Sequence, residues 1–442
     1  MIGVSRFSEI FRKGVYTFYA MNRNGRQQYK HRIFVRRLCT LDYLDKNKST
    51  LYRQLYAKIL ACGPITVADY MKEVLTHPTA GYYTTKDILG QKGDFTTSPE
   101  ISQLFGEIIA IWIINEWRKI SKESIQLVEL GPGRGTLMND ILRVFKKLNL
   151  SNKISVHLVE ISPVLSAIQA KKLCAESNDN NSDSFKDEEN AFYRRGITKD
   201  GVKAYWYYSV YDVPRKFSIF VAHEFFDALP IHKFQKTDKG WREVLIDIIQ
   251  DTKEERFQYV LSRMPTPACK VYLSPREKRD HVEISPQCSV MMDHLSQFLY
   301  ECGGFALVID YGHEREKTDT FRAFCQHKLH DPLLKPGTAD LTADVDFLSM
   351  KEVAEKDDRL ITFGPVTQRT FLQNTGIDLR LKIILQNATD TQKQHIQSGY
   401  HMITDKDKMG DCFKVLSLFP FILKDHLKKW PVAGFEDETE AK

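Results

Sequence analysis

Two carboxylates three residues apart, Glu224 and Asp227, stand in the stretch His223-Glu224-Phe225-Phe226-Asp227-Ala228-Leu229-Pro230, at the exit of the apolar run from Phe217 to Ala222. On a helical turn they would share one face, and in a loop they would border one pocket. Such a pair suits a cationic acceptor. Carboxylates can hold a guanidinium bidentately, fix its plane and localise a lone pair on one nitrogen, which otherwise stays protonated up to about pH 12 or beyond. Glu224 is the first candidate for that grip and Asp227 the second. The competing reading is structural, with Asp227 capping the following turn and Glu224 a plain strand end.

A second constellation precedes it. The apolar strand Ile125 to Leu130 runs into Gly131-Pro132-Gly133-Arg134-Gly135-Thr136, followed by a helix-like run to Leu148. Gly131, Gly133 and Gly135 can take positive φ and carry no Cβ, so a nucleotide-like ligand can lie on the backbone N–H groups. The next apolar strand, Ile154 to Val159, ends on Glu160, placed to hold two ribose hydroxyls at the carboxyl end of a parallel sheet. The spacing is GxGxG rather than the GxGxxG of dinucleotide folds, and Glu129 stands just before it, near where a cofactor's amino-acid end would lie. The pattern favours S-adenosylmethionine (AdoMet) over a nicotinamide cofactor. Asp212, beyond a third strand, and Thr97 and Ser98, in an upstream turn-rich loop, complete the cofactor-contact candidates, although Ser98-Pro99-Glu100 also reads as a helix start.

The elements needed to position these residues are legible as an alternation. Strands at Ile125–Leu130, Ile154–Val159, Val202–Tyr208, Phe217–Ala222 and Phe305–Ile309 are separated by helical runs, which predicts an α/β, Rossmann-like fold with a mostly parallel sheet and helices on both faces. Leu360 to Phe371 and Cys412 to Phe419 could close it as antiparallel edges. Helices Leu51–Cys62, Val67–Leu75 and Ile101–Lys119 form an N-terminal cover, the second capped by Thr66. Residues 1–40 are set apart, 41–124 form the helical segment, and 125–442 form the main domain, with insertions at 176–190 and about 241–300. Glu176 to Asn190, with six acids and four asparagines, reads as a mobile loop. Trp241 to Val260 reads as a hairpin laid against the main sheet.

With 42% hydrophobic and 27% charged residues in 442, the chain has the composition of a soluble globular protein, and no run is long enough to span a membrane. Residues 1 to 40 hold nine basic residues against one acid, Glu9. The formal charge of +6 therefore becomes −2 once this +8 segment is set aside, and the basic balance gives no argument for nucleic acid. Phe7, Ile10, Phe11, Val15, Phe18 and Tyr19 make the segment amphipathic, as in a mitochondrial transit peptide; a basic surface arm is the alternative. Eight scattered cysteines without a CxxC fit reduced thiols in a matrix-like compartment. Neither Cys325, His327, His330 and Asp331 nor the acidic run Asp340 to Asp346 has the spacing of a recognised metal site.

Taken together, Gly63-Pro64-Ile65-Thr66, Gly93 to Ser102, Glu129 to Thr136 and Glu224 to Pro230 resemble the MidA family, over a match from about Tyr52 to Phe419. The resemblance implies an AdoMet-dependent protein arginine methyltransferase. It further implies symmetric dimethylation of an arginine in the quinone-site core subunit of mitochondrial NADH:ubiquinone oxidoreductase (complex I), in the matrix, as a step in complex I assembly. Gly131, Gly133 and Gly135 would then bind AdoMet, and Glu224 corresponds to the acid near the acceptor. His223 stands where bacterial relatives are expected to carry asparagine. Two alternatives stay open: a catalytically silent scaffold for complex I assembly, and a nicotinamide oxidoreductase, which the glycine spacing disfavours.

Overall fold

The computed structural model describes residues 48–85, 96–179, 191–249, 256–274 and 277–436. The basic segment 1–40 and residues 180–190 of the acidic stretch lie outside them. Helix Thr50–Cys62 starts on Ser49, whose hydroxyl accepts the Tyr52 N–H. After β1 (Ile65–Thr66), helix Val67–Thr76 starts on Thr66, whose hydroxyl accepts the Asp69 N–H at 2.9 Å and donates to the Asp69 carboxylate at 2.8 Å. This is the cap expected from the sequence.

The main sheet is built from β2 (Ile125–Leu130), β3 (Ile154–Val159), β4 (Cys174–Asp179), β5 (Arg194–Thr198), β6 (Lys203–Tyr207) and β7 (Ser218–His223). A second, five-stranded sheet joins β1 to β8 (His232–Thr237), β9 (Gly240–Ile248), β10 (Phe257–Leu261) and β11 (His281–Ile284). The chain returns to the main sheet as β12 (Gly304–His313), makes a small antiparallel sheet from β13 (Arg322–Cys325), β14 (Lys328–His330) and β15 (Asp340–Thr342), and finishes with β16 (Val345–Asp346), β17 (Leu360–Thr367) and β18 (Phe413–Pro420). The main order is β17-β18-β12-β7-β2-β3-β6-β5-β4, with β16 beside β12.

The centre, β12-β7-β2-β3-β6, is parallel, while both margins are antiparallel. The sheet is therefore mixed. The C-terminal antiparallel margin was expected; the one formed by β4 and β5 was not. Glu176 begins no loop: directly after helix Pro163–Leu173, Cys174–Asp179 pairs with Arg194–Thr198. An edge strand keeps one ladder of backbone hydrogen bonds while its side chains stay wet, so an acidic composition does not exclude it. The hairpin of β9 and β10 exists, but as part of the second sheet, where Phe257 packs on Tyr52 (4.7 Å between ring centroids) and Tyr70 of the N-terminal helices.

Both faces of the main sheet are covered. Along β2, Leu127 faces the layer that contains Phe105, Trp112 and Phe145, and Val128 faces the layer that contains Phe220, Phe298 and Phe347. Each buried side chain of this size contributes about 1.5–3 kcal/mol, against about 0–1 kcal/mol for an exposed ion pair. The two apolar layers, rather than surface charge, hold the strand ends in place.

Candidate active site

Parallel register brings the important loops to one edge of the sheet. Leu130 lies opposite both Val159 of β3 and Ala222 of β7, and His223 lies opposite Ile309 of β12. The glycine turn, Glu160, Glu224 and Asp310 therefore leave neighbouring strands at one level. The turns are in near contact: a Cβ built on Gly131 would sit 3.0 Å from the Phe225 ring.

Glu224 is held in an unfavourable backbone conformation, φ +50°, immediately after β7. Its N–H donates to the Ile309 carbonyl at 3.0 Å, and Asp310 fixes the next three residues, Oδ2 accepting the N–H groups of Phe225 (3.1 Å), Phe226 (2.9 Å) and Asp227 (3.3 Å). A glutamate at positive φ costs about 1–3 kcal/mol and persists only where its surroundings over-determine it. The Glu224 carboxylate accepts the Ser98 backbone N–H, while Oε1 is buried with no hydrogen-bond partner among the described residues. Burial, then the charges of Asp227 and Asp340, push its carboxyl well above the usual carboxylate range.

Asp227 is differently placed. Its Oδ2 accepts the Thr342 hydroxyl at 2.7 Å, and its carbonyl accepts the Ala343 N–H at 3.1 Å. Burial raises its pKa, opposed by the Thr342 hydrogen bond and the nearby Arg322 guanidinium. Asp310, fully buried, is raised well above its ordinary value by burial and by Asp227 and Glu224. Asp340 accepts the Tyr83 hydroxyl at 2.7 Å. Glu224 thus feels the charges of Asp227 and Asp340, and Asp310 those of Asp227 and Glu224, so in a medium this dry the four cannot all ionise without a cation. Glu224 and Asp227 are near enough for their charges to interact, yet of the two only Glu224 has a buried oxygen without a partner among the described residues.

The cofactor candidates gather beside them. Gly131, Gly133 and Gly135 have φ of +62°, +54° and +74°, so all three use the left-handed region that favours glycine. Glu129 is buried, with Oε2 unpartnered among the described residues; burial and the charge of Glu160 raise its pKa to about 8, partly opposed by Lys172. Glu160 accepts the Ser162 N–H at 2.7 Å and the Gln169 amide at 2.9 Å, and burial still lifts it to about 7. Gln169 also donates to the Gly133 carbonyl at 2.7 Å and accepts the Trp206 indole N–H at 2.9 Å, tying the glycine turn to β6. Sequence reasoning missed Gln169, because nothing but the fold brings it under the turn. Ile161, Tyr208 and Tyr211 remain 42%, 54% and 55% exposed beyond β3 and β6, an apolar shelf beside the Glu160 carboxylate. An orphaned acid, three left-handed glycines and an apolar shelf fit a ligand with an ammonium group, a ribose and a flat base.

Other expected residues divide. Asp212 ends the short turn Val210–Asp212, next to Tyr211 in the chain. Thr97 precedes helix Ser98–Ile101 without a side-chain cap bond. The Ser98 side chain is wholly buried, its hydroxyl donating to Gln368 at 3.4 Å, so its backbone rather than its hydroxyl faces the site. Glu100 accepts the Thr136 hydroxyl at the start of helix Thr136–Lys147. His313 accepts the Arg315 N–H at 3.0 Å as a turn residue. His223 stacks on Phe413 and meets the Phe105 ring at a tilt, its Nε2 3.6 Å from Glu224 Oε1; burial lowers its pKa to about 3, so it is neutral. The acidic run from Asp340 is split among tasks: Asp340 meets Tyr83, Asp344 pairs with Arg322 and Lys317, and Asp346 caps helix Phe347–Ala354. Cys325 and His330 lie on the strands of the β13–β14 hairpin, and His327 lies in its turn.

A family profile described as S-adenosyl-L-methionine-dependent methyltransferase matches residues 108–366. The chain belongs to this methyltransferase family. Its cofactor is AdoMet, which the donor set around the glycine turn fits. The chain is 50% identical over 378 residues to "Protein arginine methyltransferase NDUFAF7, mitochondrial" of Homo sapiens, covering 84% of this chain and 83% of that one. It is 48% identical over 395 residues to the homolog of that name in Drosophila melanogaster, covering 88% and 90%. Among solved structures, a COG1565 superfamily member from Burkholderia thailandensis, crystallised with S-adenosyl-homocysteine, superposes with a TM-score of 0.68 at 22% identity, covering 91% of this chain and 96% of that one. The Rossmann-like methyltransferase fold expected from the sequence is thus the fold of this family.

Proposed function

We propose that this chain is a mitochondrial protein arginine methyltransferase, and that Glu224 holds the acceptor guanidinium. The observation that carries the proposal is the buried Glu224 Oε1, without a partner among the described residues, on a residue at φ +50° whose neighbour Phe225 meets the glycine turn. Relatives that carry the name protein arginine methyltransferase support the substrate class. AdoMet supplies an electrophilic methyl group on a sulfonium sulfur. Gly131, Gly133 and Gly135 present backbone to it, Glu129 meets its ammonium, Glu160 its ribose and Asp212 its base edge, with Thr97 and Ser98 closing the turn above. Transfer needs the nucleophile, methyl carbon and sulfur in line. The guanidino nitrogen forms the new N–C bond while the C–S bond breaks with its electron pair going to sulfur, and the nitrogen releases one proton. Glu224 orients the guanidinium and opposes its charge, which favours the ionised carboxylate and draws its raised pKa down. Asp227, tied to Thr342, and Asp310, tied to three N–H groups, are positioning residues that keep Glu224 in place.

The finer reading follows the family resemblance: the acceptor is an arginine of the quinone-site core subunit of complex I, dimethylated symmetrically in the matrix before assembly buries it. The test is to incubate the chain lacking residues 1–40 with labelled AdoMet and freshly synthesised core subunit, and to map the label by mass spectrometry. Label confined to an arginine, as one methyl on each terminal nitrogen, is the expected result. Tight binding of the subunit without label would favour the scaffold instead.

A further inference from the structure

Two clefts meet at Ile101 and His395. One, of about 520 Å³, is lined by Thr96, Tyr311, Phe324, Met402 and Met409; the other, of about 610 Å³, lies between Leu104, Ile383, Ile384 and Ile396. Both share Ile101 and His395, so together they form one trough across helix Asp390–Thr404. Its near end borders the catalytic acids. Tyr311 directly follows Asp310, which fixes the Glu224 turn, and Phe324 lies opposite Asp340 in the β13–β15 ladder. Thr96 and Ile101 flank Ser98, whose N–H is bonded to Glu224. The far end is apolar and open: Ile383 is 44% exposed and the neighbouring Leu379 is 64% exposed. The one Lys, Arg, Asp or Glu among the lining residues, Arg380, is already paired with Glu107 at 2.7 Å. Asn387 and Gln392 offer neutral amides along the wall.

We propose that this trough docks the acceptor polypeptide as an extended segment, with its arginine at the Tyr311 end and an apolar side chain at Ile383 and Ile384. The proposal rests on the arginine methyltransferase reading and adds what that reading leaves open, the chemistry recognised beside the arginine. Continuity with the acid cluster fixes the direction of the segment. A floor of isoleucine, methionine and aromatic side chains without a free charge selects apolar neighbours, because a charged group there would lose water and find no partner. An extended strand lets alternate side chains enter pockets while its backbone uses the amides on the wall. The acceptor must therefore be locally unfolded when methylated.

The test uses the full chain and a fluorescein-labelled synthetic peptide with a single arginine and leucines on both sides, read by anisotropy and by methyl transfer. Ile383→Glu and Met402→Glu alter half-exposed side chains, so melting temperature and AdoMet affinity should match the unaltered chain. Peptide affinity should fall about tenfold or more in each, the equivalent of roughly 1.4 kcal/mol. A peptide with serines in place of the leucines should bind the unaltered chain comparably weakly. Equal affinity of both variants and the unaltered chain, or no peptide binding at all, overturns the trough. Leucine-dependent binding that both variants weaken, without transfer to arginine, keeps the trough and overturns the methyltransferase reading instead.

Discussion

Glu224 illustrates a conflict between stability and use. It occupies a backbone region that glutamate avoids, and it buries a carboxyl oxygen with no partner among the described residues. Neither feature helps the folded state, so Glu224→Gln should leave the melting temperature unchanged or raise it, a trade-off common at active sites. Asp310→Asn should act oppositely. Its Oδ2 accepts three backbone N–H groups, and weakening that set should cost about 1–3 kcal/mol in urea unfolding. Glu129 and Glu160 give a pH dependence with a defined sign. Their folded pKa values, about 8 and about 7, lie above the unfolded value near 4.5. The folded chain without ligand holds protons that the unfolded chain releases, so this contribution to stability is complete below about pH 4.5 and is lost as pH rises through 7 and 8. Cationic AdoMet favours the ionised Glu129. Its dissociation constant should therefore fall as pH rises from about 6 to about 8 and then level off, with proton release visible as a buffer-dependent enthalpy in calorimetry. A flat affinity across that window would contradict the placement of Glu129.

At the scale of elements, the site is a row of strand ends whose spacing is set by parallel register. Gly131→Ala tests how tightly two of these turns are coupled. An alanine at φ +62° is strained by about 1–2 kcal/mol, and its Cβ would press on Phe225 at 3.0 Å, next to Glu224. Methyl transfer and AdoMet affinity should fall together; loss of AdoMet affinity alone would mean the turns are independent. Strand β2, the glycine turn and Glu160 were legible in the sequence because apolar runs and glycines are local signals. The contacts that separate the roles of Glu224 and Asp227 were not, because Asp310 and Thr342 reach them from 83 to 115 residues away along the chain. The run from Asp340 to Asp346 looked like one acidic loop, yet the fold sends its side chains to Tyr83, Arg322 and a helix start. Edge strand β4 carried no alternation to read, since one ladder and a wet face impose none.

For the whole molecule, the cofactor edge is built on the carboxyl ends of the central strands, the acceptor trough runs from Tyr311 of β12 across helix Asp390–Thr404, and the Tyr83–Asp340 hydrogen bond ties the N-terminal segment to the small β13–β15 sheet beside the acids. The basic segment 1–40 accounts for the difference between formal charges of −2 and +6. Removal of that segment should leave AdoMet affinity unaltered, and fusion of it to a reporter should direct the reporter to mitochondria. The central claim is that Glu224 holds an acceptor arginine for transfer from AdoMet. Single-turnover methylation of the complex I core subunit by the unaltered chain and by Glu224→Gln, both saturated with labelled AdoMet, tests it most directly. Loss of one electrostatic partner of the reacting group should slow transfer by about 100-fold or more at unchanged AdoMet affinity. Label on the same arginine at an undiminished rate in Glu224→Gln would contradict the claim.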